Sequence, residues 1–226
     1  MTDVMTDLVQ ITRPRGPRPA TVLLWITFAS LVVPTGLVAI ALGLAWLELP
    51  YELLLVLRRL PLLFPAHMIA SGAALILIPI AAVLRRRPAA HRIVGRLAAA
   101  AVAVGGCAAV PVAFASEASA VARAGFATQG IVWLALLVAA VTAIRRGRRS
   151  RHAALMIAMA AVASGAIWLR LTIAITNAAA LPFDRVYAVA AWACWLVPLA
   201  AAVALTGREA IVSSLSRGFD QAPLRT

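Results

Sequence analysis

Six apolar runs, each about twenty residues or longer, alternate with short blocks of arginine, and this alternation excludes most folds. A bilayer offers no water to satisfy peptide groups, so a run that crosses it must bond its own backbone, as an α-helix does. The expected fold is therefore all-α: a polytopic membrane protein of about six transmembrane helices. The runs cover about Thr21 to Glu48, Pro61 to Leu84, a third stretch ending near Ser116, Gly125 to Ile144, Ala153 to Ile175, and Tyr187 to Thr206. Trp25 and Trp46 stand near the two ends of the first run, where indole rings favour the headgroup layer. Residues 49–60 are apolar but too short to cross. Pro50 and Pro61 bracket them, which predicts a helix lying at the interface.

Composition agrees with this layout. The chain is 63% hydrophobic and 13% charged, outside the range of a soluble domain. A net charge of +13 would suit nucleic acid if it covered one face, but here it falls in blocks between apolar runs, so no nucleic-acid partner is expected. The first run is too long for a signal-peptide core and is expected to remain as a span. Cys107 and Cys194 lie within apolar runs as small hydrophobes, with neither disulfide nor zinc spacing. The domain plan is a cytoplasmic tail over 1–20, a six-span membrane domain over 21–206, and a second cytoplasmic tail over 207–226. In that last tail Ile211, Val212, Leu215 and Phe219 have the spacing of a short surface helix.

The charges also predict orientation. Sixteen arginines fall in the two tails and in the turns at 85–96 and 145–152, against Asp3, Asp7, Glu209 and Asp220, a balance of +12. On the opposite side Arg58, Arg59, Arg123 and Arg185 cancel Glu48, Glu52, Glu117 and Asp184. Positive charge stays on the cytoplasmic side, so a multi-pass protein of the cell (inner) membrane with both termini cytoplasmic is expected. Its partners would be the lipid bilayer, with anionic lipids at the arginine turns, and a membrane-protein partner or a second copy of the chain. The two arginine turns also resemble one another, which raises the possibility of a tandem repeat of spans two-three and four-five.

One charge is left over: Arg170, inside span five. At about 1.5 Å rise per residue, both His67 to Arg85 and His152 to Arg170 cover roughly 27 Å in antiparallel spans. His67 and Arg170 therefore share the outer layer, and His91 and His152 the inner one. Ionisable groups at such depths are costly, which makes them functional candidates. For the outer pair, one reading is a ligand site for an anionic or quinone-like headgroup. The other has Arg170 snorkelling outward and His67 bonding a carbonyl near Pro65. For the inner pair, one reading is bis-histidine ligation of haem iron, haem b being the cofactor, with Arg92 and Arg96 on the propionates. The other is two interfacial histidines among arginines. No Asp or Glu lies within any span, which argues against a transporter. The repeated A-S-G-A at 70–73 and 163–166 lacks the histidine in span six that an intramembrane serine protease would need. Small residues such as Ser71, Gly72, Gly95, Gly105, Gly106, Ser164 and Gly165 predict close helix contacts, and Gly95 shares a helical face with His91.

A histidine within an apolar span is followed by Pro79 and a basic turn into H-R-x-x-G-R (His91, Arg92, Gly95, Arg96), and later come His152, Met156 and Leu169-Arg170-Leu171. This order resembles the prokaryotic membrane family labelled domain of unknown function 2306, over about residues 65–172. Leu155, Ala153 and Ala98 stand where that family has tryptophan, a basic residue and often tyrosine. The resemblance implies a four-helix core, spans two to five, of unassigned activity. The functional expectation is an integral membrane protein with a haem- or quinone-linked redox role. The alternative is a non-catalytic accessory or scaffold subunit, and whether the chain is an enzyme stays open.

Overall fold

A computed structural model of the protein describes residues 19–219. Residues 1–18 and 220–226, most of the first expected tail and the end of the second, lie outside the described residues. The chain divides into two compact units, residues 1–31 and 32–226. Within the first, the described part is the opening half of helix α1 (Pro19–Gly43).

The second unit continues α1 and adds α2 (Tyr51–Arg59), α3 (Leu63–Val83), α4 (Pro88–Ala115), α5 (Ala120–Arg145), α6 (Arg149–Ala163), α7 (Gly165–Ala178) and α8 (Phe183–Phe219). A 3-10 turn, Leu84–Arg86, links α3 to α4. Among the described residues five segments are long and apolar enough to cross a membrane: Leu63–Arg86, Pro88–Ala115, Ala120–Arg145, Arg149–Ala178 and Phe183–Gly207. The remaining expected span is α1, an apolar helix of 25 residues. The expected interfacial segment is α2, which exposes Tyr51, Glu52, Arg58 and Arg59 and buries Val56.

Proline and glycine set the breaks. Pro88 starts α4 at a position whose amide needs no helical partner, and Gly147 supplies the left-handed backbone (φ 70°) of the second arginine turn. Both basic turns are shorter than the sequence suggests. Arg92 and Arg96 already belong to α4, and Arg149 and Arg151 to α6, because helix continues once an amide has a bonded turn beneath it. The far-side loops shrink likewise, to residues 116–119 and 179–182. The C-terminal segment forms no separate surface helix, since α8 continues unbroken to Phe219. The side chains of Ile211, Val212, Leu215 and Phe219 lie outside the description.

In the bundle α4 packs between α3 and α5, and α8 lies against α5, α6 and α7. The shared core is made of Ala74, Ile78, Ala98, Val102, Trp133, Leu137, Met159, Val162 and Trp195. Outside this core stand large apolar side chains such as Val138, Ile175, Val189 and Leu205, each about two-thirds exposed at 65%, 63%, 67% and 63%. A surface so apolar on a chain with these spans faces lipid; the protein is a multi-pass membrane protein in contact with the bilayer.

With lipid outside as apolar as the core inside, close backbone approach supplies the contact. A side chain at Gly36 would strike the Gly72 carbonyl at 2.8 Å, and one at Gly125 the Ala191 carbonyl, also at 2.8 Å. The expectation for Gly95 is corrected: a Cβ there meets nothing within 4 Å. No neighbouring helix approaches α4 closely at Gly95 itself, although His91, Ala98 and Val102 of α4 all meet other parts of the bundle.

Candidate functional site

A cavity of about 480 Å³ opens among α3, α4, α5, α7 and α8, with Leu42 of α1 and α2's Leu53 and Val56 also on its wall. Its lining is mostly apolar and aromatic, including Phe64, Phe126 and Trp133, and carries a few polar groups: His67, Ser71, Ser116, Gln129, Arg170, Tyr187 and Cys194. Among the described residues no aspartate or glutamate lines it.

His67 enters from the first turns of α3. Its Nδ1 lies 2.9 Å from the Gly105 carbonyl of α4, an acceptor only, so this nitrogen carries the proton and donates. Ser71 Oγ lies 3.3 Å from the same nitrogen. The bond therefore reaches across to another helix and not to a carbonyl near Pro65. In the neutral ring this leaves Nε2 as a lone-pair acceptor. Gly105 permits the approach, because a Cβ there would sit 2.7 Å from Ser71 Oγ.

Arg170 enters from α7, where a local break directs it. Span five is interrupted at Ser164, which separates α6 from α7. The ladder tightens there: the Ile167 amide donates to the Ser164 carbonyl at 2.8 Å, a three-residue step. Side chains cover carbonyls around the break. Ser164 Oγ donates to Ala161 O (2.7 Å), Gln129 Nε2 of α5 to Val162 O (3.1 Å), and Trp133 Nε1 of α5 to Met159 O (3.3 Å). Beyond the break Arg170 Nη1 donates to Ala166 O at 2.9 Å, one turn back along α7. The guanidinium thus folds toward the break, away from the α7 end at Ala178, and does not snorkel outward. Among the described residues the one ion pair joins Arg59 to Glu117, so no carboxylate neutralises Arg170.

Tyr187 completes the far side. Its ring stacks on Phe183 (centroids 5.3 Å apart) and tilts against Phe126 of α5 (5.5 Å). Over the same end lies α2, held by Arg59, which donates to the Ala115 carbonyl (2.7 Å) and pairs with Glu117.

The structure therefore brings His67 and Arg170 to one cavity. The other pair occupies a different setting. His91 and His152 each open the helix after a basic turn, and each donates from Nδ1 to the preceding helix, to Ala81 O (2.8 Å) and Ala140 O (3.0 Å) respectively. The likeness of the two turns thus extends to their geometry. Either imidazole keeps Nε2 for a metal, the donor haem iron takes, but neither lines the large cavity or the small pocket formed by Thr142, Arg146, Arg148 and Arg151. Arg92 and Arg96 are exposed on α4. Among the described residues no three metal-binding side chains gather.

Sequence reasoning missed Gln129, Trp133 and Tyr187, weighed Ser71 only for helix packing and for a serine-protease reading it rejected, and took Cys194 as a small hydrophobe. One signal was available: Gln129 is the sole glutamine in any apolar run, and an amide there needs a partner.

The model of a family described as predicted membrane protein, domain of unknown function 2306, matches residues 64–206. That stretch covers more than half of the chain, which therefore belongs to the family. No curated protein and no solved structure matches the chain.

Proposed function

We propose that this family member is a ligand-binding membrane protein whose cavity takes a lipophilic molecule by its polar head, with Arg170 and His67 as the polar contacts. One observation carries the reading: an arginine inside the span bundle faces a cavity of about 480 Å³ with no carboxylate partner among the described residues. A cation in a bilayer core is costly unless something pairs with it, and a bound head supplies the missing acceptor oxygen. The remaining wall matches what such sites use, an apolar majority with a few convergent polar groups. Arg170 and Tyr187 donate to a head oxygen, and the free Nε2 of His67 accepts from a head hydroxyl. An anionic head and a quinone-like head both meet these groups. The positive-inside balance supports a cell-membrane protein with the arginine turns and both termini cytoplasmic, which puts this cavity in the half of the bilayer away from the cytoplasm.

The test is to purify the protein from its membrane, extract and identify retained small molecules by mass spectrometry, and record the absorption spectrum of the same sample. A retained amphiphile that is lost from Leu169→Trp, which fills the cavity wall, supports the reading. An empty protein whose ligand-free state survives addition of amphiphiles ends it and favours the accessory-subunit role. A Soret band abolished by His91→Ala and His152→Ala, and kept in His67→Ala, would move the function to the inner pair.

A further inference from the structure

The ligand class follows from charge and depth, given the proposed binding role. We infer that the cavity selects a carboxylate head on a single apolar chain, with Arg170 as the residue that sets this specificity. Among the described residues the wall carries one formal positive charge, Arg170, and no negative one. A single monoanion neutralises it, while a neutral quinone carbonyl leaves the charge buried. The guanidinium keeps donors for this purpose: Nη1 is bonded to Ala166 O, and no bond from Nη2 or Nε is formed among the described residues. These atoms offer the forked geometry that two carboxylate oxygens match.

Depth separates a free carboxylate from a bilayer phospholipid, which also carries a monoanionic group. Arg170 stands eight residues before the end of α7, about 12 Å along the helix axis, and its side chain turns further inward. A phospholipid head anchored in the headgroup layer would have to sink by that distance with its glycerol and second chain. A carboxylate is small enough to descend alone, with its chain left along the Phe126 and Leu169 walls. Two neutral groups complete the fit. The Tyr187 hydroxyl is a further donor at the same cavity, and the Ser71 hydroxyl is another.

The experiment uses the full chain in nanodiscs at about pH 8, where a carboxylic acid is ionised. Binding of dodecanoate, methyl dodecanoate, decylubiquinone and phosphatidylglycerol is followed by calorimetry and by quenching of tryptophan emission, Trp133 being on the cavity wall. Dodecanoate should bind wild type at least about tenfold more tightly than its methyl ester. Arg170→Gln should abolish that preference while still binding the ester, and Arg170→Lys should keep part of it. Circular dichroism and gel filtration establish that the variants are folded. If Arg170→Gln misfolds, the wild-type ratio of acid to ester and its retention in Arg170→Lys decide the matter. Equal affinity for acid and ester, or tighter binding of decylubiquinone or phosphatidylglycerol, overturns the carboxylate inference and leaves the cavity reading standing. Binding of none of the four overturns both.

Discussion

At the scale of single residues, two glycines of one helix make opposite predictions. Gly105 lies where α4 meets α3, and a methyl group there would press on Ser71, 2.7 Å from Oγ and 3.1 Å from its amide nitrogen. Gly105→Ala should therefore destabilise the protein by about 1–3 kcal/mol, the range for overpacking, and should disturb the His67 bond to the same residue's carbonyl. Gly95→Ala meets open space and replaces a poor helix former with the best, so it should be neutral or stabilising by up to about 1 kcal/mol. Thermal unfolding of the two variants in the same detergent checks this. A larger loss at Gly95 than at Gly105 would mean that the α3–α4 packing is different from that described. Gly105 occurs in small-residue sequence and Gly95 between Val94 and Arg96, but neither setting states which glycine faces a neighbouring helix. The distinction depends on which face of α4 turns toward α3, and that is a property of the pair of helices.

At the scale of elements, the two informative features are a short helix and a break. Helix α2 is tethered at one end by Arg59, through the Ala115 carbonyl and Glu117, and its Leu53 and Val56 close part of the cavity wall. Both charged side chains are about half exposed, at 50% and 52%, so the pair contributes little to stability, less than about 1 kcal/mol. Glu117→Gln should leave the unfolding temperature almost unchanged. It should speed release of a bound amphiphile several-fold if α2 roofs the site, as measured by stopped-flow tryptophan fluorescence. Unaltered release would show that ligand leaves by another wall. The charge pattern of the sequence assigns Arg59 and Glu117 to one side of the membrane, yet cannot pair them, since fifty-eight residues separate them along the chain. The break at Ser164 was likewise hidden. Its A-S-G-A occurs also at 70–73, where α3 runs on unbroken, and two of the groups that cover its carbonyls, Gln129 and Trp133, come from a different helix.

At the scale of the whole molecule, the arginine asymmetry makes the topology testable. Reporters joined after Thr226 and within residues 146–148 should be active only as cytoplasmic markers, and one within 179–182 only as a marker of the opposite side. Any exchange between these compartments would sink the proposed orientation and with it the depth assigned to the cavity. The sequence by itself determined the all-α membrane class, because run length and the cost of unbonded peptide groups in lipid leave one solution per run. It also placed His67 and Arg170 at one depth, because helical rise is fixed and the spans alternate in direction. Only the tertiary structure decided which polar groups share a cavity and which way Arg170 points. Rotation of a helix about its axis changes every neighbour without changing depth, and on helices this uniformly apolar no hydrophobic stripe records that rotation. It is set instead by glycine contacts and interhelical hydrogen bonds, and these exist only once the helices have packed.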